Sequence, residues 1–351
     1  MPREMIMSRR AGLLERIPPV WRAPLVRLGA AWAALALLTR RDWAEMAWQW
    51  WNDSTCNHIL LIPLILVWLV RLRWSEVVKL SPQAWWPGLV WFAAGLLAWA
   101  LGTAASVNLL AQLGAVVLLQ ACVAILFGPR IVAGLIFPLA YMLFLVPFGD
   151  EIVLPLQMIT ARMAVALTHV SGVPASISGV FIDTPVGRFE VAAACSGVKF
   201  LVAMIALGTL VAHLFFRSRM RRAAFMIACV VVPVLANGVR AWGTIYIAQS
   251  RGVAFAAGFD HIVYGWLFFA IVMTVLLVIA WRFSDRPADE PWLDAAALQS
   301  SDVLDRLARQ SMASWPATIA IVLLAAATAA WGVALARPVA DALLAAAGLH
   351  P

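Results

Sequence analysis

The stretch from Asn108 to Gly128 reads NLLAQLGAVVLLQACVAILFG and contains no charged side chain. A helix that crosses a bilayer needs about 20 predominantly apolar residues, because the hydrocarbon core is about 30 Å thick. This stretch meets that requirement, and apolar blocks of similar length recur on both sides of it. The sequence therefore predicts a multi-pass membrane protein.

The composition of the whole chain supports the same prediction. Hydrophobic residues make up 64% of the 351 positions and only 13% are charged, whereas a soluble domain carries roughly a quarter charged residues. The net charge of +8 resides mostly in short loops between apolar blocks. The positive-inside rule explains this charge without a nucleic-acid partner, and the 18 Trp residues are typical of membrane interfaces.

We expect an all-α fold, a polytopic transmembrane helical bundle of about eight or nine spans plus an interfacial amphipathic helix. The interfacial helix covers Ile152–Val170, because a further crossing there would invert the later loops. Turn residues and β-branched residues over 171–194 predict a short external hairpin. The candidate spans are 24–40, 55–74, 86–105, 108–128, 131–147, 197–216, 223–247, 261–281 and 315–336.

The basic loops predict an orientation. If each candidate span crosses, most basic loops fall on one side, which the positive-inside rule makes the cytoplasm; Arg40 and Arg41 are the exception. No removable signal peptide is expected at the N-terminus. The predicted segments are a cytoplasmic N-terminus (1–23), a transmembrane domain (24–285), a cytoplasmic linker (286–314), and a last span with an external tail (315–351).

Cys195 is the first residue that suggests chemistry, because it precedes an apolar span on the predicted outer side. A helix N-terminus favours a thiolate, and its free backbone N–H groups can receive a developing oxyanion. Ser196 and Gly197 follow it and are candidate supporting residues. The alternative interpretation is structural, with Cys195 as a small packing residue and Ser196 as a helix cap.

Two further pairs of polar residues are candidates to act together with Cys195. Asn237 and Arg240 lie in the span 223–247, where an arginine needs a counter-charge, water or carbonyl groups unless it snorkels outward. Asp260 and His261 begin the next span, and His can serve as base and then as acid. A Cys nucleophile, a His base and a fixed cation are the groups needed for acyl transfer through a thioester.

The remaining cysteines and His58 offer weaker candidates. Cys122 and Cys229 lie mid-span without ionisable neighbours. Cys56 could pair with Cys195 in an oxidising compartment, but this bond would block the nucleophile, so we expect Cys56 to be unlinked or regulatory. His58 is either a second polar group at the site or an interfacial marker. The four Cys are too scattered for a zinc cluster.

Together these motifs resemble the exosortase/archaeosortase family, most closely the exosortase A type. The similarity covers most of 20–285 and includes the segment His58–Pro63. The family pattern often has a Glu two positions before the Cys and an Arg four after it, where this chain has Ala193 and Lys199. The three matching motifs are Ala194-Cys195-Ser196-Gly197, Leu235-Ala236-Asn237-Gly238-Val239-Arg240-Ala241 and Asp260-His261-Ile262-Val263-Tyr264-Gly265-Trp266.

The resemblance implies a membrane-embedded cysteine transpeptidase of the bacterial inner membrane, with the active site at the outer face and no metal or organic cofactor. By position, Cys195 is its nucleophile, Arg240 its essential cation and His261 its acid/base. Its substrates are secreted proteins that end in a Pro-Glu-Pro motif, a transmembrane helix and a basic tail. Such enzymes accompany exopolysaccharide production.

Two other functions fit the same sequence. A transporter or flippase for a polysaccharide-linked lipid would use Arg240 and the region around Gly238 to line a pathway. A non-catalytic scaffold in an export complex would leave Cys195 inaccessible to thiol reagents. The transporter, unlike the enzyme, tolerates Cys195→Ala.

Overall fold

The computed structural model describes residues 17–253, 265–287, 291–312 and Ile321, and these residues are mostly helical. The chain divides into two compact units: a first unit of Met1–Asn52, Ile59–Pro147 and Pro291–Pro351, and a second unit of Asp53–His58 and Phe148–Glu290. Six of the helices within the described residues are long and apolar enough to cross a membrane. The prediction of a polytopic helical membrane protein is confirmed.

The α-helices of the described residues follow each other in this order: α1 (Pro19–Leu38), α2 (Arg40–Asn52), α3 (Ile62–Val77), α4 (Gly88–Ala104), α5 (Asn108–Gly134), α6 (Ile136–Tyr141), α7 (Asp150–Val170), α8 (Val198–Phe215), α9 (Arg219–Arg251), α10 (Gly265–Arg282), α11 (Ala295–Gln299) and α12 (Asp302–Ala308). Short 3₁₀ helices cover Asn57–Leu61, Met142–Leu145 and Ala193–Cys195. Three strands, β1 (Ser176–Ser178), β2 (Phe181–Thr184) and β3 (Gly187–Glu190), follow α7.

In the first unit, α4 and α5 pack closely through glycine. Gly88, Gly95 and Gly102 are spaced seven residues apart on α4, so they lie on one face of the helix. A Cβ atom at Gly102 would lie 2.3 Å from the backbone nitrogen of Ala111, and one at Gly95 would lie 2.9 Å from Val117 Cγ1. Small residues let two membrane helices approach each other, which gains van der Waals contact that lipid does not provide.

The predicted spans over 108–128 and 131–147 have different bounds in the structure. Helix α5 continues to Gly134 through a kink at Gly128, whose φ is +80° and which precedes Pro129. The next apolar helical segment therefore covers only Ile136–Leu145. Ten residues extend about 15 Å, roughly half of the hydrocarbon thickness.

Helix α7, by contrast, has the length and apolar composition that a crossing requires. Its interfacial placement stays a prediction. If α7 crosses and Ile136–Leu145 does not, the number of crossings before Cys195 is unchanged, because one span replaces the other.

The predicted hairpin is part of a small antiparallel sheet with the order β1-β2-β3. Ile177 pairs with Ile182, which in turn pairs with Phe189. Ile182 is buried in a cluster that includes Ala161 of α7 and Ile245 of α9. The sheet is thus anchored to these two helices by its middle strand.

Helices α8, α9 and α10 also belong to the second unit. The rings of Phe200 on α8 and Phe269 on α10 stack with centroids 3.5 Å apart. At the other ends of these helices, Asp285 accepts hydrogen bonds from the backbone N–H groups of Arg217 (2.7 Å) and Ser218 (3.2 Å). Helices α8 and α10 therefore run parallel, and their first turns lie side by side.

The segment predicted as a cytoplasmic linker over 286–314 contains α11 and α12. From Pro291 onward this segment packs within the first unit, where Gln83 donates a hydrogen bond to the carbonyl of Ala308 (3.1 Å) and Trp85 to that of Leu307 (2.9 Å). Arg130 forms an ion pair with Asp305. The last predicted span, 315–336, lies outside the described residues except for Ile321.

Candidate active site

Cys195 ends the 3₁₀ turn Ala193–Cys195, between the sheet and helix α8. Its backbone N–H donates to the carbonyl of Ala192 (2.8 Å), and its side chain is half-buried. The hydroxyl of Ser196 accepts a hydrogen bond from the N–H of Val198 (3.4 Å). Ser196 thus satisfies one of the first N–H groups of α8, although the N-cap residue of this helix is Gly197.

Gly197 is required by its conformation and by its neighbour. Its φ is +83°, in the left-handed region that residues with a Cβ atom seldom adopt. A Cβ at this position would also lie 2.8 Å from the side-chain carbon Cγ of Asn237. Glycine therefore allows the chain to turn from Cys195 into α8 directly against the side chain of Asn237.

Asn237 binds the backbone of the candidate nucleophile. Its amide nitrogen donates to the carbonyl oxygen of Cys195 (2.9 Å) and to the hydroxyl of Thr160 on α7 (3.0 Å). The side chain is 1% exposed, so both bonds are shielded from water. Buried polar groups of this kind are costly to leave without partners, and the two bonds together fix the peptide that follows Cys195.

Arg240 lies one turn further along α9 and reaches the same carbonyl. Its Nη2 donates to the oxygen of Cys195 (3.5 Å), and its Nε donates to Oδ1 of Asn237 (3.4 Å). The residue is 7% exposed. The structure therefore brings Cys195, Asn237 and Arg240 into direct contact, although 45 positions separate the outer two in sequence.

One comparison with known proteins found a match. The family model described as transmembrane exosortase matches residues 50–278 of the chain. This protein belongs to the exosortase family. Comparisons with curated proteins and with solved structures found no match.

The match includes every site residue that the sequence predicted, from His58 to His261. It supports a membrane-embedded sorting enzyme at the level of the family. The narrower assignment to the exosortase A type stays a prediction.

Helix α7 supplies two site residues of this exosortase that the sequence analysis did not assign. Thr160 accepts the bond from Asn237, and Gln157 donates to the carbonyl of Val191 (2.6 Å), just before the turn that carries Cys195. Both side chains are buried. Their spacing of three residues on one helix face was a usable signal, but polar residues are also expected on one side of the predicted interfacial helix.

The segment that carries Cys56 and His58 also approaches the start of α8. A Cβ at Gly149 would lie 3.3 Å from Thr55 Cγ2 and 3.2 Å from Val198 Cγ2, so both methyl groups pack against Gly149. Nδ1 of His58 is 3.0 Å from the carbonyl oxygen of Thr55. His58 therefore lies in the second unit, near the helix that follows Cys195.

Cys56 is a free thiol, as are the other three cysteines. Its Sγ lies 3.9 Å from a carboxylate oxygen of Asp53. Burial, together with the negative charge of Asp53, raises the pKa of the Cys56 thiol to about 12. Cys56 is therefore a neutral thiol at physiological pH and a poor nucleophile.

Asp260 and His261 lie outside the described residues, which resume at Gly265. His261 precedes α10 by four positions, and α10 stacks Phe269 on Phe200 near the start of α8. Among the described residues, no group of three or more His, Cys, Asp and Glu side chains is arranged to hold a metal ion. The prediction that no cofactor is needed stays a prediction.

Proposed function

We propose that this exosortase-family protein is a membrane-embedded cysteine protease and transpeptidase. Its substrates are secreted proteins with a C-terminal Pro-Glu-Pro motif, a transmembrane helix and a basic tail. Cleavage of this sorting signal would link it to surface protein sorting and exopolysaccharide production. The observation that carries the proposal is the binding of the Cys195 carbonyl by both Asn237 and Arg240 in a chain of this family.

The proposed reaction uses the thiolate of Cys195 as the nucleophile. The sulfur attacks the scissile carbonyl, and the C–N bond breaks as His261 gives a proton to the leaving amine. The product is a thioester between Cys195 and the secreted protein, which an acceptor nucleophile or water then resolves. The parallel packing of α8 and α10 supports this role of His261, because it brings the first turns of both helices together.

Arg240 has three possible roles in this reaction: it stabilises the thiolate, binds the oxyanion, or holds the Glu of the substrate motif. Its contacts with Cys195 and Asn237 keep a positive charge beside the reacting residue. Arg240→Lys keeps the charge but loses the planar fork. If the fork is needed, this variant loses most of its cleavage rate, whereas Arg188→Lys, at an exposed position of β3, keeps the wild-type rate.

We place the protein in the bacterial inner membrane with Cys195 near the outer face. If α7 crosses in place of Ile136–Leu145, this proposed orientation is unchanged, because the number of crossings before Cys195 stays the same. A substrate helix in the bilayer then holds its Pro-Glu-Pro segment at the level of Cys195. The basic substrate tail stays in the cytoplasm by the positive-inside rule.

Co-expression of the Cys195→Ala variant with a tagged substrate tests the proposal. We expect the substrate to remain uncleaved. Cys229→Ala is the matched control, because Cys229 is a buried thiol on α9 away from the Cys195 carbonyl. Cleavage at the wild-type rate by Cys195→Ala contradicts cysteine catalysis.

A further inference from the structure

An elongated cavity of about 610 Å³ lies in the first unit, among α1, α2, α3, α5 and α6. Its volume falls within the range of roughly 300–1,000 Å³ found for ligand sites. Helix α3 lines it from Pro63 to Val77, a length of about 21 Å at 1.5 Å per residue. The cavity is therefore long enough to hold an extended ligand.

The walls of the cavity are hydrocarbon. Three of the Trp side chains that line it donate hydrogen bonds from their indole N–H groups to backbone carbonyls. The pairs are Trp21 with Leu80 (3.1 Å), Trp32 with Leu119 (3.0 Å) and Trp50 with Leu145 (3.0 Å). Their ring carbons remain as lining. Apolar cavities of this kind stay free of water and accept apolar ligands.

The cavity opens sideways along α3. Val67 lines it although 68% of this residue is exposed, and the neighbouring Leu64 is equally exposed. On the opposite wall, Phe127 of α5 is buried. In a membrane the exposed side of α3 faces lipid, so a hydrocarbon chain can enter the cavity from the bilayer.

The two ends of the cavity differ in the charged residues beside them. Arg22 follows Trp21, and Arg71 follows Val70, and both Arg side chains are exposed. Near Trp43, at the other end, α2 carries two arginines (Arg40, Arg41) beside two acidic residues (Asp42, Glu45), so the charges there balance. The exposed Arg22 and Arg71 therefore favour a phosphate group at the end formed by Trp21.

We propose that this cavity binds one hydrocarbon chain of an anionic phospholipid, whose phosphate lies beside Arg22 and Arg71. The lipid fills a space lined by apolar side chains, and it stays bound for longer than the lipids that surround the protein. This binding does not depend on the chemistry at Cys195.

Photo-crosslinking of the full-length protein in vesicles tests the chain site. The vesicles consist of phosphatidylcholine with a trace of phosphatidylglycerol that carries a diazirine midway along one acyl chain. We expect crosslinks at Val70 and Val123 above those at exposed Leu97 of α4. Displacing about two methylene groups weakens apolar binding about tenfold, so Val123→Trp, which fills the cavity, should lower crosslinking at Val70 by about that factor or more.

Leu97→Trp is the matched control, because Leu97 is exposed on α4, and it should leave crosslinking at Val70 unchanged. Crosslinks spread evenly over Val70, Leu64 and Leu97, in both wild type and Val123→Trp, would mean that only surrounding lipid is present. That result overturns the proposal.

The phosphate site is tested separately with surface variants that leave the packed interior intact. In wild type, the phosphatidylglycerol probe should crosslink at Val70 more than a phosphatidylcholine probe with the same diazirine chain. Arg22→Gln combined with Arg71→Gln should remove this difference, and Arg188→Gln in the second unit should keep it. Equal crosslinking by the two probes in wild type contradicts the anionic headgroup.

Discussion

Asn237 decides the geometry of the site at the scale of single residues. Its amide group binds Cys195 and Thr160 at once, so it links helices α7 and α9 to the turn before α8. Gly197 permits this contact, because any Cβ at that position would overlap the amide. The position of Cys195 thus depends on two residues without chemical reactivity of their own.

We predict that Asn237→Leu lowers the rate of substrate cleavage about 100-fold, because small displacements of a reacting group have effects of that size. Thr160→Val should cost less, about tenfold, since the bond to Cys195 remains. The kcat should fall in both variants while KM changes little. Cleavage assays of purified variants measure this, with exposed Asn52→Leu as the control, and an unchanged kcat for Asn237→Leu contradicts the positioning role.

The two thiols of the second unit that precede α8 should react differently. With a pKa of about 12 for Cys56, the thiolate fraction at pH 8 is about 1 in 10,000. We therefore predict that a water-soluble maleimide at pH 8 labels Cys195 and leaves Cys56 unmodified. Mass spectrometry of tryptic peptides measures the labelling.

The raised pKa of Cys56 sets how the maleimide labelling of this thiol depends on pH. Because the pKa of Cys56 is raised, its labelling should begin only when the pH approaches 12 or the protein unfolds. Cys56→Ser should keep the wild-type labelling of the intact protein at pH 8, and Cys195→Ser should lose it. Equal labelling of both cysteines at pH 8 in the folded protein contradicts the burial of Cys56.

At the scale of elements, the glycine face of α4 decides how α4 and α5 pack. We predict that Gly102→Ala lowers the thermal midpoint of unfolding in detergent, because the added Cβ lies 2.3 Å from a backbone nitrogen of α5. Overpacking of this kind costs about 1–3 kcal/mol. Circular dichroism during heating measures the midpoint.

Gly29→Ala on α1 is the matched control with the opposite sign. Nothing lies within 4 Å of a Cβ at Gly29, and Ala is a better helix former than Gly by about 1 kcal/mol. Its midpoint should equal or exceed that of the wild type. Equal midpoints for the two variants contradict the close packing of α4 on α5.

The elements that hydropathy predicts least well are those shaped by backbone geometry. The break at Gly128-Pro129-Arg130 divides the apolar pattern into two spans, so the pattern does not reveal that α5 continues through a kink to Gly134. Glycines at Gly88 and Gly95 add little to hydropathy, so their close contact with α5 was not predicted. Ile177 and Ile182 did indicate strands, but the pairing with a third strand depends on burial against α7 and α9.

At the scale of the whole molecule, the sequence predicted the fold class from long apolar blocks, and this prediction is confirmed. It also singled out Cys195, Asn237 and Arg240, because polar groups inside apolar segments are rare and costly. Thr160 and Gln157 were missed because their importance lies in contacts with distant residues. His261 lies outside the described residues, so its role stays a prediction.

The division into two units separates the proposed cleavage reaction from the proposed lipid binding. The second unit contains Cys195 and the residues that bind its carbonyl, whereas the first contains the apolar cavity. Each can therefore be tested without the other. Cys195→Ala should remove the reaction and keep lipid crosslinking, whereas Val123→Trp should lower lipid crosslinking and keep the reaction.

The thioester between Cys195 and its substrate tests the central claim most directly. Purified protein is incubated with a tagged substrate that ends in Pro-Glu-Pro, a transmembrane helix and a basic tail, and the reaction is stopped with acid. We predict a covalent adduct that peptide mass spectrometry locates at Cys195 and that neutral hydroxylamine releases. Cleavage of the substrate without any adduct at Cys195, at a rate that Cys195→Ala retains, would contradict the account.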